Sequence, residues 1–181
     1  MLSRRSVLIG ALAAASGAWG QAAPPTPSCG KPTERQTAGP YFKPNSPKRN
    51  TLTERSPNAL ILVLTGLVLS PECNPVAAAL VDFWHADEFG EYDNKGFRYR
   101  GHQFTGAQGR WRLETVLPAE YPGRARHLHV NVQAPGKPIL TTQLYFPGDR
   151  RDGLYRDSLV IRVDKKDDQR IEGSFNFVIE V

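Results

Sequence analysis

Sulfur is scarce in these 181 residues: one methionine and two cysteines, Cys29 and Cys73. In an oxidising compartment an even pair reads as one structural disulfide, here tying an N-terminal arm to the body, rather than as a metal or redox site. Long apolar runs are missing too. The longest small-residue apolar stretch, Val7 to Ala15, is too short to span a bilayer. No dense basic tract exists, which argues against a nucleic-acid partner. Past the N-terminal stretch, no segment sustains helical spacing of apolar residues over three turns, and 15 prolines with 16 glycines interrupt the chain too often for long helices. Internal repeats and low-complexity segments are absent.

What is present begins with a targeting signal over residues 1–24. Arg4 and Arg5 precede the apolar run, and small residues around Ala18 to Ala23 offer a cleavage site. Ser3-Arg4-Arg5-Ser6-Val7-Leu8 resembles the twin-arginine export signal, which carries proteins already folded, so a cofactor would be loaded before export. An ordinary secretory signal containing two arginines is the alternative. Both place the protein in the periplasm or outside the cell, with no membrane anchor once the signal is removed. Its removal takes Arg4 and Arg5 from the 23 basic residues and no acid, leaving 21 against 18, a formal charge of +3. The remainder, about 155 residues, supports one core and not two.

Residues 25–58 are rich in Pro, Thr, Ser and charge without apolar period, and read as an extended, irregular arm; Thr37-Ala38-Gly39-Pro40-Tyr41-Phe42 is a compact turn within it. Residues 59–181 form the body. Short apolar runs separated by turn residues predict strands at Leu60 to Leu69, Ala77 to Trp84, Trp111 to Thr115, His127 to Gln133, Leu140 to Phe146, Leu159 to Val163 and Ser174 to Val181. In the last, Phe175, Phe177, Ile179 and Val181 alternate with Asn176, Val178 and Glu180. Seven or so short strands in one domain predict a sandwich or a barrel.

The stretch from Tyr121 to Gln133 carries most of the chemistry. As a strand, residues 127 to 133 project His127, His129, Asn131 and Gln133 from one face and Leu128, Val130 and Val132 from the other. Two imidazoles on neighbouring pleat positions can share a metal ion, and His-x-His suits zinc or copper as well as iron; two surface histidines are the plain alternative. No third histidine lies near. His85 reads as a strand-end side chain bonded to Asp82 or Asp87, His102 as a loop residue, and Trp84 as core packing. Tyrosine is what lies close: Tyr121 enters the strand through a Pro-Gly turn, and Tyr92 follows Trp84-His85-Ala86-Asp87 and Gly90.

Taken in order, Gly39-Pro40-Tyr41-Phe42, then Trp84-His85-Ala86-Asp87 with Gly90 and Tyr92, then Tyr121-Pro122 with Arg124 and His127-Leu128-His129, then Thr142-Gln143-Leu144-Tyr145-Phe146 before Gly148-Asp149, resemble the intradiol ring-cleavage dioxygenases. The resemblance runs from about residue 37 to 150. It implies an all-β, single-domain β-sandwich of about seven or eight mostly antiparallel strands. It implies one non-haem Fe(III) per chain, held by Tyr92, Tyr121, His127 and His129, with Arg124 and Gln143 in the substrate pocket and Tyr41 beside it. Two hard phenolate oxygens favour iron(III), which acts as Lewis acid and template toward a bound diol. Tyr121 would leave the metal to take a substrate proton, while Arg124 and Gln143 stabilise charge on the ring. The implied partners are a small aromatic diol, namely a catechol or hydroxylated aromatic acid, and dioxygen; relatives assemble in various ways, and a homo-oligomer is only the general default expectation. Arg126 departs from the pattern, standing where many relatives carry a small residue. The contrasting readings are a non-enzymatic β-sandwich binding module and a zinc or copper site on the same fold.

Overall fold

Where the apolar runs alternate, strands form, and they assemble into two stacked sheets in a computed structural model that describes residues 29–53, 59–148 and 152–181. The export segment, residues 54–58 of the arm and Asp149 lie outside the described residues. Ten strands are described: β1 (Thr51–Leu52), β2 (Ile61–Leu69), β3 (Leu80–Trp84), β4 (Arg100–Phe104), β5 (Arg110–Val116), β6 (His127–Gln133), β7 (Leu140–Tyr145), β8 (Arg162–Lys166), β9 (Arg170–Ser174) and β10 (Phe177–Val178). One sheet runs β1-β5-β2-β9-β8 with β10 also on β2, and the other runs β4-β3-β6-β7. The second is antiparallel throughout; in the first, β1 pairs with β5 and both β9 and β10 pair with β2 in parallel, whereas β2–β5 and β8–β9 are antiparallel. A single buried cluster joins Leu62 and Leu64 of β2 and Leu113 of β5 to Val81 and Phe83 of β3 and Leu128, Val130 and Val132 of β6. This shared core makes the fold a β-sandwich. Among the described residues no helix is long and apolar enough to cross a membrane.

β6 spans the predicted residues. The C-terminal run does not form one strand. β9 pairs with the first half of β2 and β10 with its end, both parallel, and between them the chain steps across Gly66. A Cβ on Gly66 would stand 1.7 Å from the Phe175 carbonyl oxygen, so only glycine lets the crossing come this close. Val178 is buried beside Phe177 and Ile179 while Val181 is exposed, so the alternation read there does not describe one buried face. Leu159 belongs to a 3-10 turn, Asp157–Leu159, and β8 begins at Arg162. β4 gave no apolar signal because its inward positions are Gly101 and Gln103, opposite Phe83 and Val81. β1 lies inside the stretch read as irregular arm, pinned to β5.

The arm is tied at several points. Cys29 and Cys73 are bonded, closing a separation of 44 residues. Gln36 N donates to Thr141 O (2.8 Å), and Thr142 Oγ1 donates to Glu34 O (2.7 Å). These bonds run the arm along the edge strand β7, and Gln143 Nε2, donating to Thr37 O (3.0 Å), brings it onto the outer face of the four-stranded sheet, where Gly39 passes His129.

Candidate metal centre and its cavity

Strand register decides which side chains meet on that covered face. Trp84 of β3 stands opposite both Arg100 of β4 and His129 of β6, and His129 stands opposite Gln143 of β7. Arg100, Trp84, His129 and Gln143 thus form one row across four strands, and His127 pairs with Tyr145 in the next. Leu128 faces the core between the two histidines, as a period of two demands.

His127 Nε2 and His129 Nε2 are 3.2 Å apart, and Tyr92 Oη lies 3.5 Å from His127 Nε2. Tyr92 and Tyr121 interact through their hydroxyls, with ring centroids 6.0 Å apart and nearly perpendicular. All four residues that the sequence nominated as ligands are therefore brought together, from β6 and two separate loops. Two donors each about 2.1 Å from one ion stand about 3.0–3.5 Å apart, so the imidazole spacing fits chelation. His127 Nδ1 hydrogen-bonds the Ala125 carbonyl at 2.7 Å, which leaves the Nε2 lone pair facing His129. Among the described residues His129 Nδ1 is buried without a partner of hydrogen-bonding geometry, although the Thr37 carbonyl acts on that ring. Among the described residues no group of three or more His, Cys, Asp or Glu could hold a metal ion, so any such site here needs the tyrosines.

Electrostatics favour the neutral form of all four side chains. Burial pulls the His127 imidazole down to about 4, and burial together with His127 and Arg124 pulls His129 well below the usual histidine range. Burial, then the neighbouring Tyr121, pushes the Tyr92 phenol up. Burial also raises Tyr121, against the lowering effect of Arg124. Phenols like these ionise only when a positive charge comes within bonding reach.

Local sequence explains the positioning. Tyr121-Pro122-Gly123-Arg124 closes a turn in which Arg124 N donates to Tyr121 O (2.9 Å) and Gly123 takes φ +79°, as a type II turn requires. The turn aims Arg124 Nη1 at Tyr121 Oη (3.2 Å). Tyr92 follows a loop organised by Asp87, whose Oδ1 accepts from Phe89 N and Glu91 N, both at 2.9 Å. Tyr41 stacks on Tyr92 with centroids 4.4 Å apart. Gly39, at φ +65°, passes so near that a Cβ would sit 3.3 Å from His129 Cε1.

Gln143 is fully buried; its Oε1 accepts from Arg124 Nη2 (2.6 Å) and Tyr145 Oη (3.1 Å), and its Nε2 donates to Thr37 O (3.0 Å). Arg124 Nε bonds Asp152 Oδ2 at 2.6 Å. Asp152 escaped the sequence reading altogether. It stands 28 residues from Arg124 in a charged stretch with no motif, and only the fold makes them neighbours. Burial alone would raise its carboxyl, yet the bonds from Arg124, Leu154 and Ala125 hold it below the usual range.

Other expectations shift. His85 bonds neither Asp82 nor Asp87: its Nδ1 meets Ala86 O and its Nε2 meets Thr115 Oγ1, each at 2.7 Å. His102 is on β4, with Nδ1 2.8 Å from Ser46 O. Trp84 is buried, and its ring stacks on His129 at 5.0 Å between centroids. Arg126 donates from Nε to Pro118 O (2.6 Å). Tyr92 and Tyr121 open onto a cavity of about 190 Å³, also bounded by Tyr41, Glu91, Asn94 and Pro122.

Comparison with known proteins bears on the fold and the family. The dioxygenase domain of a dioxygenase carbohydrate-binding protein fusion from the cellulolytic bacterium Streptomyces sp. SirexAA-E is 49% identical, with a TM-score of 0.80 over 83% of this chain and 99% of that domain. Hydroxyquinol 1,2-dioxygenase of Nocardioides simplex is 29% identical over 160 residues, 72% of this chain and 55% of the relative. The protocatechuate 3,4-dioxygenase beta chain of Burkholderia cepacia is 32% identical over 120 residues, 56% of this chain and 51% of the relative. The chain spans about half the length of the curated relatives it matches. With the dioxygenase family profile matching residues 37–180, and catechol-type ring-cleaving enzymes among its relatives, the chain belongs to the intradiol ring-cleavage dioxygenase family.

Proposed function

We propose that this protein is an exported non-haem iron(III) dioxygenase that cleaves a catechol-type ring between its two hydroxylated carbons, adding both atoms of dioxygen to give a muconate-type dicarboxylic acid. The observation that carries the proposal is the meeting of Tyr92 Oη, His127 Nε2 and His129 Nε2 within 3.5 Å steps, with the Tyr121 hydroxyl adjoining, beside an open cavity. Iron(III) held by these four residues would supply Lewis acidity and a template for the diol.

The chain's own groups account for the rest. Tyr121, on a short turn and bordering the cavity, accepts a diol proton at Oη and swings aside, its raised pKa making it a competent base once ionised. Arg124 Nη1, already 3.2 Å from Tyr121 Oη, stays behind as a cation beside the ring while negative charge builds there. Gln143 holds Nη2 at 2.6 Å and Asp152 holds Nε at 2.6 Å, so the guanidinium reaches its aim without reorganising. Tyr41, stacked on Tyr92, walls the cavity beside that phenol. The residues flanking Arg4 and Arg5 support export by a twin-arginine route into the periplasm.

Purified protein loaded with ferric iron should be coloured by phenolate-to-metal absorption and should consume one dioxygen per catechol, releasing a dicarboxylic acid. A zinc or copper carrier, or an empty binding module, gives neither signal. Colourless protein without oxygen uptake on catechol, hydroxyquinol or protocatechuate would refute the proposal.

A further inference from the structure

Glu91 occupies a position that the reaction does not use. Its backbone is fixed at both ends by Asp87: Glu91 N donates to Asp87 Oδ1 and Asp87 N donates to Glu91 O, both at 2.9 Å. Glu91 borders the cavity, is exposed, and has no cationic partner among the described residues. A substrate that turns its two hydroxyls toward Tyr92 and Tyr121 presents its remaining ring positions to Tyr41, Glu91, Asn94 and Pro122. In that lining Glu91 is the single formal charge, and it is negative. Arg124, the cation that serves the reacting end of the ring, is bonded to Tyr121 and is not among the residues that line this rim.

We infer that Glu91 sets substrate charge: the site takes catechols whose ring substituents are uncharged or cationic and disfavours those carrying a carboxylate. The inference rests on the ring-cleavage reading and narrows it. Two negative charges about 6 Å apart at a half-solvated rim repel by an amount worth roughly three- to thirty-fold in binding at low salt. Salt weakens the discrimination, since the rim is open to water.

The test is a ratio. kcat/KM is measured by oxygen uptake for catechol, for 3,4-dihydroxybenzoate as the anionic probe, and for 4-(2-aminoethyl)catechol as the cationic probe, on the iron-loaded full chain. The wild type should place the benzoate last. Glu91→Gln should raise the benzoate-to-catechol ratio about tenfold, chiefly through KM, and Glu91→Lys should raise it further while depressing the amine. Asp168→Asn, in the β8–β9 turn of the other sheet, makes the same change in net charge and should leave the ratio alone. A wild type that prefers the benzoate, or a ratio untouched in Glu91→Gln, overturns the inference. Calorimetric binding of catechol and the benzoate to wild type and Glu91→Gln reads the same preference without turnover. Binding with the expected ratio but no oxygen uptake defeats the ring-cleavage reading and upholds the charge selection, whereas cleavage without the ratio does the reverse.

Discussion

Replacing Asp152 with Asn tests whether the guanidinium of Arg124 is held by a carboxylate or merely rests near one. Asp152 Oδ2 accepts from Arg124 Nε (2.6 Å) and Ala125 N (3.2 Å), and Oδ1 accepts from Leu154 N (2.8 Å). Asparagine keeps the shape but has one acceptor oxygen, so an amide NH2 must face either Leu154 N or the Arg124 and Ala125 donors. The carboxylate side chain is 3% exposed and the arginine 18%, so removing one charge strands its partner in a largely water-free setting. Breaking a fully buried pair costs about 3–5 kcal/mol; with Arg124 partly reaching solvent, about 2–3 kcal/mol is expected. In a domain of this size that lowers Tm by about 4–12 °C. Activity should fall roughly tenfold as Arg124 loses its fixed aim. Urea unfolding followed by tryptophan fluorescence gives the first number and oxygen uptake the second. The folded-state carboxyl is held below its ordinary value, so the stabilisation is present above the unfolded pKa and disappears as pH falls through the folded one. The Asn variant should therefore converge with wild type in acid. An unfolding free energy within about 0.5 kcal/mol of wild type at pH 7 would refute this account, because only a weak, solvated pair behaves that way.

Gly39→Ala sets a side chain at φ +65° with its Cβ 3.3 Å from His129 Cε1, so it should cost about 1 kcal/mol in backbone strain and weaken metal uptake, as followed by calorimetric titration. Metal-free protein should lose stability as pH falls from 6.5 toward 4, because burial lowers both His85 and His127 to about 4 and the unfolded chain binds protons first. By that linkage each histidine contributes about 2 kcal/mol of the loss at pH 5, measured by urea midpoints across the range. Reduction of the Cys29–Cys73 bond, or Cys73→Ser, frees a 44-residue loop and should lower stability by about 4 kcal/mol in the loop-entropy account, read as a thiol-dependent drop in Tm.

Local rules were enough for much of this protein. A period of two put His127 and His129 on one face and Leu128 on the other, and Pro122-Gly123 announced the turn that pins Tyr121 to Arg124. Both depend on interactions within a few residues, which sequence records directly. Strands such as β4 and β9 left little trace, because a strand's inward positions can be Gly or Gln wherever a neighbouring backbone or polar partner fills the space. The C-terminal alternation misled for the same reason: whether Val178 faces solvent depends on what lies across from it. The Asp152 bond to Arg124, the Trp84 stack on His129, and the place of Glu91 at the cavity belong to the tertiary structure alone. Those relations join residues far apart in the chain, and only chain reversal and sheet register bring their atoms within the few ångströms over which hydrogen bonds and charges act.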